Sequence, residues 1–108
     1  MKILVIEPGK QPYIKDVENK LEALQEIVGG YIETIHPYTD PVVLVCNEEG
    51  RLLGLEPNRF VEHYGVIVGT FFICGHGIDD FTGLSEDMAE KYKQWFTIES
   101  KGEDYVES

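Results

Sequence analysis

The longest apolar run in this chain is Val66-Ile67-Val68-Gly69-Thr70-Phe71-Phe72-Ile73-Cys74. Its β-branched and aromatic residues predict one strand, central in a sheet and buried on both faces. Gly69 within it marks a bulge or a close backbone approach. Val42–Cys46 is a second continuous apolar run and predicts another buried strand. Asn47-Glu48-Glu49-Gly50 then reads as a hairpin turn ending on a left-handed glycine, with Arg51–Leu55 as the return strand.

Local signals supply the remaining elements. Lys2–Glu7 predicts a strand halted by the Pro8-Gly9-Lys10-Gln11 turn, and Pro12–Val17 completes an opening hairpin. Asn19–Val28 predicts a helix, with Asn19 as N-cap and Glu22 as its capping-box partner. Leu21, Leu24 and Val28 form its apolar stripe, widened by Ala23 and Ile27, and Gly29-Gly30 is its left-handed stop. Tyr31–His36 alternates as a strand until Pro37. Ser85 opens a second helix with Glu86 and Asp87 in its first turn. Met88, Tyr92, Trp95 and Phe96 are its apolar stripe, and Leu84 is placed to staple onto Ala89.

The predicted class is therefore α+β, with two helices and a mostly antiparallel sheet in two layers around one core. The order hairpin, helix, further strands is similar to a β-grasp. With 108 residues the chain is long enough for one domain, assigned to residues 1–98. Residues 99–108, rich in Gly, Ser and acids, read as an acidic, flexible tail.

Charge narrows the function classes. Nine Lys plus Arg stand against twenty Asp plus Glu, a formal charge of −11 with His neutral. Such a chain lacks the basic face that displaces phosphate counterions, so direct nucleic-acid binding is not expected. Docking on an anionic membrane is disfavoured for the same reason. No apolar run reaches the roughly 18 residues of a spanning helix. The opening apolar residues stop at Glu7-Pro8 without a cleavage site, so they do not read as a signal peptide. The expected setting is cytoplasmic, with both cysteines reduced.

Catalytic and metal chemistry find little footing. Cys46, Cys74, His36, His63 and His76 lack the paired spacing of a zinc site, and the thiols at the ends of apolar runs read as core residues. A nucleophilic Cys74 would sit beside Asp79 and Asp80, which raise rather than lower a thiol pKa. Gly75-x-Gly77 lacks the third glycine of a phosphate loop, Asp80 standing in its place. No cofactor, metal or catalytic residue is assigned.

Two binding surfaces are expected instead. Asp79, Asp80, Glu86, Asp87 and Glu90 crowd around the start of the second helix, in the last third of the chain, where three lysines face nine acids. That face suits a basic protein partner met by fast, salt-sensitive encounter. Alternatively Tyr31, Asn47, Asn58 and Arg59 form a site for a small phosphate-bearing ligand such as a nucleotide signal, Arg59 on the phosphate and Tyr31 stacking on the base. The oligomeric state stays open between monomer and homodimer, since Pro12–Val17 is an edge strand able to pair with its twin.

Three groups of residues carry a likeness to a known family. They are Val28-Gly29-Gly30-Tyr31-Ile32-Glu33, then Asn47–Leu55 with Asn58-Arg59, then Val66–Phe72. In this order they resemble domain of unknown function 3846, and the likeness runs from residue 1 to about Phe96. Relatives often carry Pro where this chain has Glu56. The resemblance implies a bacteriophage or a mobile element of Gram-positive bacteria as the setting. It implies no activity and no catalytic residue. The expected function is thus a non-enzymatic binding protein acting stoichiometrically on a host protein through its acidic surface, or alternatively one that sequesters a small molecule.

Overall fold

A computed structural model describes residues 1–77 and 80–99. The chain forms β1 (Lys2–Ile6), β2 (Tyr13–Asp16), α1 (Leu21–Val28), β3 (Ile32–Ile35) and β4 (Val42–Asn47). It continues as β5 (Pro57–Val61), β6 (Gly65–Val68), β7 (Phe71–His76), β8 (Phe81–Thr82) and α2 (Glu86–Trp95). The main sheet runs β2-β1-β7-β4-β3, with β8 paired to the end of β7, while β5 and β6 form a separate two-stranded sheet. Every pairing is antiparallel. The α+β class is as predicted.

Register shows where the burial comes from. Leu4, Ile73, Leu44 and Ile35 align across β1, β7, β4 and β3 and point to the face carrying Tyr92 of α2 and Phe96 just beyond it. One residue along, Val5, Phe72 and Val45 align and point to the other face, against Leu24 and Val28 of α1. Helix thus covers sheet on both sides, so the single expected core becomes two clusters. The continuous apolar runs of β4 and β7 are the reason: with no polar alternation, both faces must be shielded. Each fully buried side chain of this size contributes about 1.5–3 kcal/mol.

Several local expectations are corrected. Val66–Cys74 is two strands, not one, because Gly69 adopts a φ of 78° and turns the chain from one sheet into the other. No return strand follows β4; residues 48–54 are turns, tied by Leu53 N–H to Glu49 O and Leu55 N–H to Gly50 O. Both edges of β4 are already paired, with β3 and β7, so a hairpin partner has no free ladder to join. The left-handed glycine there is Gly54, not Gly50.

Helix α1 begins after Lys20, and Asn19 makes no cap; its side-chain amide donates to Phe81 O of β8 instead. Leu21, expected in the stripe, is exposed, as is Trp95 of the second stripe. Gly29 ends α1 in the left-handed conformation, its N–H on Gln25 O, as predicted. Ser85 caps α2 as predicted, its hydroxyl accepting from Met88 N–H. The proposed tail lies outside the described residues from Ser100 onward. The last turn before it is held by Gln11, whose side chain bonds both Ile98 N–H and Ile98 O.

Candidate functional site: an aromatic cleft beside helix α2

The four residues expected to hold a phosphate-bearing ligand fall into two separate joints of the fold. Asn47, buried at the end of β4, donates to Val28 O at 3.0 Å and accepts from Glu49 N–H at 2.7 Å. Gly30 lies so close that a Cβ there would meet Asn47 Nδ2 at 2.9 Å. Tyr31 stays exposed beside this joint, its carbonyl accepting from Glu48 N–H.

Asn58 and Arg59 make the second joint. Asn58 Nδ2 donates to Ile6 O at 2.9 Å and Gly69 O at 2.8 Å, linking β1 to the turn between the two sheets. Arg59 Nε donates to Phe96 O, Nη2 to Lys10 O, and Nη1 to Glu7 O and Asn58 Oδ1. The guanidinium therefore fastens the end of α2 to the β1–β2 turn, and partial burial lowers its pKa from the ordinary arginine value. The fork expected to face a phosphate faces backbone carbonyls. The structure thus places Tyr31 and Asn47 at one joint and Asn58 and Arg59 at the other.

Of the acidic face, Glu86, Asp87 and Glu90 are exposed on α2, and at 100° per residue they share one sector of about 100°. Asp80 is exposed too, its Oδ1 accepting from Phe81 N–H. Asp79 lies outside the described residues. Lys91 and Trp95 occupy the adjoining sector of α2, and there the surface changes character.

Sequence reasoning missed the cleft that opens at this sector. It lies between α2, the β3–β4 loop and β5, encloses about 600 Å³, and is lined by Tyr38, Asp40, Phe60, Glu62, Tyr92 and Trp95, among others. That is within the usual range for ligand sites. Trp95 and Phe60 are 63% and 69% exposed, although they are among the largest apolar side chains of the protein. Tyr38 stacks against Tyr92 with ring centroids 4.8 Å apart and meets the edge of Trp95 at 6.3 Å. Burial pushes the Tyr38 hydroxyl up to about 12, and among the described residues Tyr38 Oη has no hydrogen-bond partner. Such an orphan is ordinarily satisfied by an ordered water or a bound group.

The cleft's charges are arranged unequally. Asp40 accepts from Lys91 Nζ at 2.6 Å and from Tyr92 Oη at 2.7 Å, so Lys91 is already neutralised. The Lys91 bond chiefly, then that of Tyr92, holds the Asp40 carboxyl below its ordinary value, while burial first and Asp40 second push Tyr92 up. Glu62 on the opposite wall is 82% exposed and, among the described residues, pairs only with His63, at 4.0 Å.

The depressed Asp40 gives a pH prediction. Its stabilising contribution is whole above the ordinary carboxyl value of 3.8 and is lost as pH falls through the lower folded value. Asp40→Asn is therefore expected to lower Tm at neutral pH, with the gap to the wild type closing as the pH drops below 3.8. Paired thermal melts across that range check it; a gap independent of pH would rule it out.

The cysteines and histidines offer no competing site. Burial pushes the Cys46 thiol up to about 11 and the Cys74 thiol up to about 12, the opposite of an activated nucleophile. His36 and His76 bring their rings within 5.1 Å at one end of the sheet, yet among the described residues no group of three potential metal ligands forms.

Comparison with protein families adds one finding. The model of a domain of unknown function, DUF3846, matches residues 1–97. The chain belongs to the DUF3846 family. Comparison with curated proteins and with solved structures gives no match. The matched range takes in both joints and the cleft. No helix among the described residues is long and apolar enough to cross a membrane.

Proposed function

We propose that this DUF3846 protein is a binding protein without chemistry of its own, which acts stoichiometrically by covering a basic surface of a bacterial host protein. The observation that carries this reading is the aromatic cleft: Trp95 and Phe60 stand exposed around a space of about 600 Å³. Large aromatics held in water mark interaction sites, and Trp and Tyr are the residues that most often carry binding energy. The acids Glu86, Asp87 and Glu90 flank that cleft along α2, and the net charge of −11 draws a basic partner towards it. The phage or mobile-element setting that the family likeness implies fits a protein working by occupancy.

The test is capture from lysate of a Gram-positive bacterium on the immobilised full chain. A single protein in stoichiometric yield, eluted by salt and lost with Trp95→Ala/Phe60→Ala, is the expected result. Both side chains are exposed, so the double variant keeps its melting temperature. Capture indifferent to both substitutions would refute the reading.

A further inference from the structure

Resting on that reading, we infer that the cleft beside α2 receives an arginine side chain of the protein partner. The walls decide the chemistry. Tyr38, Phe60 and Trp95 present aromatic faces and edges around one space, and a cation over such a face is attracted by the ring quadrupole. The charge available to a newcomer is negative. Lys91, the cleft's lysine, is tied to Asp40 at 2.6 Å, whereas Glu62 on the opposite wall reaches, among the described residues, only His63 at 4.0 Å. A cation entering the cleft meets aromatic walls and an available carboxylate, and an anion meets the same carboxylate as repulsion. Arginine suits this better than lysine. Its planar guanidinium stacks on a ring, is weakly hydrated, and forks onto a carboxylate with two parallel bonds. The field of a chain at −11 favours the same sign of ligand.

Trp95 is the only tryptophan in the chain and lines the cleft, so its fluorescence reports occupancy directly. The full chain is titrated with an acetylated, amidated peptide, Gly-Ser-Arg-Gly-Arg-Ser-Gly, and with its counterpart bearing citrulline at both arginine positions. Citrulline keeps the shape and loses the charge. Saturable quenching is expected, at least about fivefold tighter for the arginine peptide. It weakens as salt rises from about 0.05 M to about 0.5 M. Glu62→Gln, at an exposed position, leaves the fold intact and loosens the arginine peptide about threefold while leaving the citrulline peptide unchanged. Equal affinity for the two peptides, or no saturable response to arginine, would overturn the inference. Its failure is separable from that of the proposed function: host-protein capture that still requires Trp95 and Phe60 while the arginine peptide leaves Trp95 unmoved removes the arginine and leaves the docking surface.

Discussion

Arg59→Ala is expected to destabilise the protein by about 2–4 kcal/mol, with a Tm lower by roughly 10–20 °C. Arg59 donates to the carbonyls of Phe96, Glu7 and Lys10 and to Asn58 Oδ1, so its loss leaves several acceptors without their partner. Hydrogen bonds from a charged donor are stronger than neutral ones, and three elements are released together: the end of α2, the end of β1 and the turn that follows it. Arg59→Lys recovers less than half of the loss, because one ammonium cannot reach carbonyls set around a planar fork. Urea unfolding of the three proteins checks this. A guanidinium serving only a phosphate, the alternative reading of the sequence, would be removable without loss of stability. A stability within about 0.5 kcal/mol of wild type for Arg59→Ala would restore that view.

Gly69→Ala is expected to cost about 2–4 kcal/mol. Part is conformational: at φ 78° an L-residue is strained by roughly 1–2 kcal/mol. Part is steric, since an added Cβ would stand 2.6 Å from Leu55 Cδ1 and 3.3 Å from Leu55 Cβ, and overpacking of that kind costs about 1–3 kcal/mol. Leu55→Ala in the same chain relieves the second part and not the first, which a double-mutant cycle in denaturant resolves. Were Val66–Cys74 one continuous strand, alanine at this site would instead stabilise by about 0.5–1 kcal/mol. The sign of the change therefore decides between a strand and a corner.

The readable parts of the fold were those whose signal is local. Gly29 stops α1 and Ser85 opens α2 because each needs only its own turn of helix to act. The hairpin β1–β2 forms around Pro8-Gly9, and β4 is buried along its whole length as its unbroken apolar run requires. Local signals were incomplete where a residue's partner is distant in sequence. Asn19 has the chemistry of an N-cap, but Phe81 O, 62 positions away, takes its amide. Asn58 and Arg59 look like a ligand site because an amide beside a guanidinium is what a phosphate needs; carbonyls 52 positions away need the same donors.

The site shows the same limit more sharply. Trp95 fits the apolar stripe of α2 by spacing, yet it lies at the margin of the buried sector and stands in water. Tyr38, Phe60 and Trp95 come from a loop, a strand and a helix with no shared motif, so no pattern along the chain could have joined them.

What the sequence determined by itself is the α+β class, the end of α1 and the start of α2, the burial of the central strands and an acidic composition. Periodicity, capping chemistry and composition act over a few residues or over the whole chain, and these features depend on nothing between those scales. Tertiary structure alone decided that Gly69 is a corner between two sheets, that both faces of the main sheet are covered, and that Arg59 is a fastener. It also decided that three aromatics meet in a cleft with Glu62 on its wall. Each of these depends on which distant carbonyl, side chain or strand edge is left unpaired once the sheet has closed, and that is a property of the assembled chain.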